Sequence, residues 1–184
     1  MRNQTWPAAA RIADWSLAIT AHSRGDTGAG GHYEFERAPG ASWAGSFTVP
    51  PMSTANALAF RAFLHSLRGR SGTFSIAVPD RATATTARTT ATSAAAGATS
   101  LTLVDASGLQ RGDNLLLAGQ LFRIGAVSGG AVTVRPRLRA AIAGGTAGTS
   151  GPVVAAFRLA GDPPAVQLIN GRSAAVQVEI EEAY

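Results

Sequence analysis

The chain has 184 residues, 46% of them hydrophobic, and a formal net charge of +5, which allows one or two small domains with an adequate core. No stretch approaches 18 uninterrupted apolar residues, so no membrane-spanning helix is expected. The absence of cysteine removes disulfide frameworks, thiolate zinc sites and cysteine nucleophiles together. All sixteen basic residues are arginine; with alanine and glycine also abundant, this reads as the codon bias of a GC-rich genome. The N-terminal Met1–Pro7 lacks the apolar run of a signal peptide, so folding in the cytosol is the expectation.

The first predicted strand holds Trp15, Leu17 and Ile19 in period-two alternation. Residues 21–31, with Gly25, Gly28, Gly30 and Gly31, read as a flexible loop; no strand-to-helix context makes them a phosphate-binding motif. A strand over His32–Arg37 alternates Tyr33 and Phe35 with Glu34 and Glu36, and Ala38-Pro39-Gly40 reads as a turn. Trp43, Gly45, Phe47 and Val49 then alternate with Ala44, Ser46 and Thr48 as a half-buried strand. Pro50 and Pro51 stop that strand, because neither can donate to a ladder. Ser53 stands at the N-cap position of a helix over Ser53–Leu67, whose apolar face is Ala57, Phe60, Leu64 and Leu67, flanked by Phe63. Gly69 is the expected left-handed residue after it, and Thr73–Val78 is the next strand.

From residue 81 the texture changes. Residues 81–100 are almost entirely Ala, Thr, Arg, Ser and Gly, the composition of a linker or extended arm. Short strands follow over Leu101–Leu103, Leu115–Leu117, Leu121–Ile124 and Val132–Val134, with turn signals every eight to twelve residues, as in a small all-β barrel or roll. Residues 140–151 read as a second linker. Val153–Leu159 is a further strand. Val166–Ile169, Asn170-Gly171 and Ala175–Ile180 read as a hairpin, because Asn-Gly supplies the two positive φ angles of a type I′ turn. The predicted fold is mainly β (α+β): a β core from residues 1–80 and 151–184 with one packed helix, and an inserted small β-barrel module over 81–150 between Ala/Thr/Gly-rich linkers.

Residues 81–150 hold seven arginines against Asp105 and Asp113, a net +5, and the remainder is neutral. Arg111, Arg123, Arg135, Arg137 and Arg139 are the predicted partner-contact surface. Nucleic acid is disfavoured as that partner, because the module offers only Phe122 for stacking. His22, His32 and His65 have no ligand spacing between them, and no carboxylate set joins them, so no metal or other cofactor is expected. Glu34 with Glu36, and Glu179 with Glu181 and Glu182, fit solvated or interface edges better than catalytic pairs. No nucleophile elbow occurs, and no enzymatic role is expected.

Trp15-Ser16-Leu17, the glycine-rich Gly25–Gly31, Pro39-Gly40-Ala41-Ser42-Trp43, Pro50-Pro51-Met52, Ala59–Gly69 and Gly72-Thr73-Phe74 together resemble the distal tail proteins of long-tailed (siphovirus-type) bacteriophages and phage-like gene transfer agents. The middle, with Gly97–Leu101, Leu109–Asp113 and Pro136–Arg139, and the ending, Val153–Leu159 through Ala183, are similar to that family too. The resemblance implies a β-sandwich-like core for residues 1–80 and 151–184, an OB-like inserted barrel over 81–150, and a homo-oligomeric ring, hexameric in that family, connecting the tail tube to the hub or baseplate. Its partners would be copies of itself, the tail tube protein, the tail hub or tip protein and the tape measure protein, with no membrane. Its place would be the tail tip of the virion, assembled in the bacterial cytoplasm. This chain is short for that family and would lack a large carbohydrate-binding module. The alternative, from a different class, is a binding module whose inserted barrel recognises host-surface glycan or, as the weaker option, nucleic acid.

Overall fold

The computed structural model describes residues 3–20, 23–27, 33–37 and 41–183, and of 23–27 and 33–37 the backbone alone. The fold is mainly β with one α-helix. The chain divides into two compact units, one of residues 1–18, 43–79 and 154–184, the other of 19–42 and 80–153.

The strands of the first part are β1 (Asn3–Thr5), β2 (Ala13–Thr20), β3 (Ser23–Thr27), β4 (Tyr33–Arg37) and β5 (Ser42–Val49). Helix α1 (Thr54–Ser66) and β6 (Thr73–Ala77) follow. The second unit contributes β7 (Thr86–Thr89), β8 (Ser100–Thr102), β9 (Asn114–Leu117), β10 (Gln120–Ser128), β11 (Ala131–Arg135) and β12 (Ala147–Ser150). The chain closes with β13 (Val154–Leu159), β14 (Leu168–Ile169), β15 (Arg172–Ser173) and β16 (Val176–Glu182).

The first unit is built on a six-stranded sheet in the order β1-β6-β13-β16-β5-β2. The short β1 is parallel to β6, and β6, β13, β16 and β5 are successively antiparallel. Alternation decides which residues go inside: Phe47 and Val49 of β5, Phe74 and Ile76 of β6, Phe157 and Leu159 of β13, and Val178 and Ile180 of β16 are all buried. Helix α1 adds Ala57, Phe60 and Leu64, with Leu67 at its C-cap; each large side chain so buried contributes about 1.5–3 kcal/mol. Trp6 links helix to sheet, its ring lying 5.1–5.4 Å from Phe47, Phe60, Phe63 and Phe74. Its indole N–H donates to the Ala10 carbonyl.

Ser53 caps α1 as its position predicts, its hydroxyl accepting from the Asn56 amide at 3.5 Å. The hairpin β14–β15 holds the same helix end. Met52 and Ser173 exchange two hydrogen bonds, and the Thr54 hydroxyl donates to the Gly171 carbonyl at 2.8 Å. At the other end the left-handed conformation starts one residue earlier than expected, at Arg68 (φ 51°), and continues through Gly69 (φ 64°).

Three further departures concern the extent of elements. Residues 23–27, within the expected loop, form β3 and pair antiparallel with β4. His22, Gly28, Gly30, Gly31, His32 and the Ala38-Pro39-Gly40 turn lie outside the described residues. Asn170 and Gly171 do take the two positive φ angles, 49° and 76°, but the hairpin they close is only two residues long on each side. The following strand β16 leaves it for the sheet interior between β13 and β5, because its apolar row of Val176, Val178 and Ile180 needs cover that β14 cannot give.

In the second unit six strands follow the order β7-β12-β9-β10-β11-β8, every pairing antiparallel. The two ends meet. Thr90 bridges Leu103, with Ala91 donating to Thr102 at 2.8 Å and Val104 to Thr89 at 2.9 Å. The ring of pairings is thereby closed around Leu101, Leu103, Leu115, Leu117, Phe122, Ile124, Val132 and Val134. An OB-fold has five strands in a partly open Greek-key barrel; this ring has six.

Both segments expected as linkers belong to this ring. Residues 86–89 form β7, and 147–150 form β12, which lies between β7 and β9. Residues 94–98 are tied in as well, since Ala94 and Ile142 exchange two bonds of 2.8 Å and Gly97 donates to Leu138 at 2.7 Å. Small side chains are the reason: a Cβ on Gly148 would run into the Leu117 side chain and lie 2.5 Å from the Leu116 carbonyl oxygen. The leucines of β9 supply the bulk, and β12 supplies the room.

Candidate functional site

The predicted basic residues lie in the second unit. Arg111 is exposed in the loop before β9, Arg123 is half-buried on β10, Arg135 ends β11 exposed, and Arg137 and Arg139 follow it, exposed and half-buried. Strand register brings some of them together. Arg123 and Arg135 are direct cross-strand partners. Beyond β11 the chain bends at Pro136, with Val134, Pro136 and Leu138 buried and Arg135 and Arg137 exposed, so both arginines face outward within two residues of each other. Gly112 donates to the Ile124 carbonyl at 2.8 Å and Ile124 faces Val134, which puts the Arg111 loop two strands from β11.

One residue that sequence reasoning passed over sets this segment's geometry. Gln120 is buried at the start of β10. Its amide donates from Nε2 to the Arg137 carbonyl at 2.7 Å and accepts on Oε1 from the Arg139 amide at 3.0 Å. A buried primary amide that satisfies a backbone acceptor and a backbone donor two residues apart fixes both. The Leu121-Phe122 run beside it had marked this stretch as strand, but nothing in the sequence marks Gln120 as a clamp.

The module's carboxylates are engaged elsewhere. Asp113, 4% exposed, accepts from Arg81 in a two-pronged pair, Nε to Oδ1 at 3.1 Å and Nη2 to Oδ2 at 2.9 Å, and from the Gln110 amide at 2.8 Å. That pairing raises the Arg81 pKa, its hydrogen bond to Asp113 being the main cause. Arg88 is buried and donates to Ser150 Oγ at 2.9 Å, to the Asp105 carbonyl at 3.1 Å and to the Ser107 carbonyl at 2.9 Å. The Asp105 carboxylate lies 3.5 Å from it. Hydrogen bonds from Ser107, with Arg88 adding a smaller part, hold the Asp105 carboxyl below its ordinary range.

Arg88, Asp105, Ser107, Asp113 and Ser150 line a cleft of about 230 Å³. Ligand pockets run from about 300 to 1,000 Å³ with a mostly apolar lining, and here the Nε, Nη1 and Nη2 of Arg88 already donate to neighbouring oxygens. The cleft works as a joint that ties β7 and β12 to the 105–109 loop.

In the first unit, His65 is an exposed residue of α1. Among the described residues no three His, Asp or Glu side chains converge as metal ligands do. Glu179 is exposed, but on the outward face of the central strand β16 and not at a sheet edge. Glu181 is instead held between Arg70, with contacts of 2.8 and 2.9 Å, and Arg158 at 3.0 Å. Glu182, expected at a solvated or interface edge, is 1% exposed and accepts from the Trp43 amide at 3.3 Å. Along β16 the residues facing inward are Val176, Val178, Ile180 and Glu182, so Glu182 is carried inside by register.

No protein-family model matches the chain, and no curated protein matches it.

Proposed function

We propose that this protein is a structural component of a phage-type tail tip, which assembles with copies of itself into a ring that connects the tail tube to the hub. The observation that carries this reading is where the resemblance motifs fall. Trp15, Trp43, Met52, Phe60, Phe63, Leu64, Leu67 and Phe74 come from five separate stretches, and all lie in the same unit. The Trp15 ring lies 5.2 Å from that of Phe47, tilted by 48°, and Phe63 sits 6.1 Å from Phe74. Residues that identify a family by packing would be expected to share a core in this way.

A sheet edge adds support. Among the described residues β2 has β5 on one side and no strand on the other. An eight-residue edge is a template for pairing, and its inward row of Trp15, Leu17 and Ile19 is only half-buried. Repeating subunits in a closed heterologous ring would cover such an edge in every copy. Six copies, the tube and hub as neighbours, the tape measure protein nearby and a virion location all come from the resemblance.

Mass measurement in solution with negative-stain imaging tests the reading. A closed ring with one mass several times that of the chain is the expected result. A protein that stays strictly monomeric at micromolar concentration, and is absent from purified particles, would overturn it.

A further inference from the structure

We infer that the barrel face carrying Arg135 and Arg137, with Arg111 two strands away, is a binding surface for the phosphate backbone of duplex nucleic acid. This inference does not rest on the ring reading, since a monomer would show the same property.

Three observations carry it. First, the carboxylates of residues 80–153 are committed within the fold. Asp113 holds Arg81, Asp105 lies against Arg88, and Asp80 accepts from the Ala82 and Asn114 amides at 2.9 and 2.6 Å. The positive charge at Arg111, Arg135 and Arg137 therefore has no carboxylate of that segment set against it. Second, the segment is held in one shape. Gln120 clamps Arg137 and Arg139 by the main chain, Arg139 and Arg123 are half-buried and engaged within the fold, and the alternating Val134, Pro136 and Leu138 are buried. Only the outward arginine side chains remain to be ordered, which lowers the entropy lost on binding.

Third, the chemistry of the face selects its partner. Protein interfaces need an apolar core ringed by polar groups, and the apolar residues of this segment point into the barrel. Single-stranded nucleic acid is bound largely by stacking on aromatic rings, and Phe122 is fully buried. What is left is guanidinium, a planar fork that matches phosphate oxygens two at a time. Such contacts neutralise phosphates without reading sequence, so affinity should fall steeply with salt.

The test uses the full-length chain and a short fluorescent DNA duplex, titrated at several salt concentrations between roughly 50 and 200 mM. Binding with a linear log–log salt dependence is expected. Arg135→Ala/Arg137→Ala should weaken it by about tenfold or more at the low-salt end and reduce the slope by about 2, one for each lost phosphate contact. Arg135→Lys/Arg137→Lys keeps both charges and should keep most of the slope, which separates charge loss from misfolding. Arg61→Ala/Arg68→Ala, in the other unit, removes the same charge and should leave the slope intact. The inference is overturned by any of four results: no duplex binding at the lowest salt; an unchanged slope in the first variant; an equal loss in the Arg61/Arg68 variant; or binding of a sulfated glycan or an acidic polypeptide with no binding of DNA.

Discussion

The Asp105 carboxyl is two-thirds exposed yet held below the usual carboxylate range, chiefly because the Ser107 side chain and amide bond to its ionised form. The amide reaches Oδ1 at 2.7 Å, closing a small turn that presents the Asp105 and Ser107 carbonyls to Arg88. A carboxyl whose pKa is lower folded than unfolded adds stability that is complete above the unfolded value. That contribution is lost as pH falls through the folded value. The unfolded value is about 3.9, so the window lies below about pH 4. Stability of the barrel is expected to decline there, and Asp105→Asn, which has no charge to lose, should flatten that part of the curve. Denaturant midpoints at closely spaced pH values would check this; an Asn variant with the same acid limb as the parent would assign the decline to other carboxyls.

The elements differ in how visibly the sequence announces them. Helix α1 was legible to within a residue because its cap, its three-and-four spacing and its flanking prolines agree. The strands β9, β10 and β11 were legible because leucines, valines and isoleucines fill them. β7 and β12 were not, because their contribution to the barrel is small side chains and backbone hydrogen bonds, and composition alone reads Ala, Thr and Gly as linker. The same blindness hid the site. Arginine counting located Arg135 and Arg137, but the Gln120 clamp and the Arg81–Asp113 and Arg88–Ser150 joints depend on partners 17 to 62 residues apart. Gly148 offers the direct test of β12. Gly148→Ala pushes a methyl against Leu117 and the Leu116 carbonyl, and overpacking of that kind costs about 1–3 kcal/mol. Urea unfolding should show a loss of that size. A variant as stable as the parent would return residues 147–150 to the status of a linker.

At the scale of the whole molecule, the segment 80–153 has the anatomy of an insertion. Both of its ends bond to one residue: Asp80 accepts from the Asn114 amide at 2.6 Å, and Gly151 donates to the Asn114 carbonyl at 3.3 Å. On the other side of the junction Ala77 of β6 is the register partner of Val154 of β13. The segment 80–153 therefore begins and ends at nearly the same point, the arrangement that tolerates insertion and excision. The barrel also has its own closed hydrogen-bonded ring and its own core, so it should not need the rest of the chain for cover. Residues 80–153 expressed alone are expected to fold cooperatively, with a stability of about 4–11 kcal/mol by ordinary per-residue values. The remainder, with Pro79 joined to Val154 through a short Asn-Gly turn, should keep the sheet and helix, because a tight turn is what the Ala77–Val154 register calls for. Circular dichroism and calorimetry of the two pieces would decide it. Two separate transitions matching those of the parent would establish independent folding, whereas an unfolded or aggregating 80–153 fragment would show that the barrel depends on the remainder of the chain.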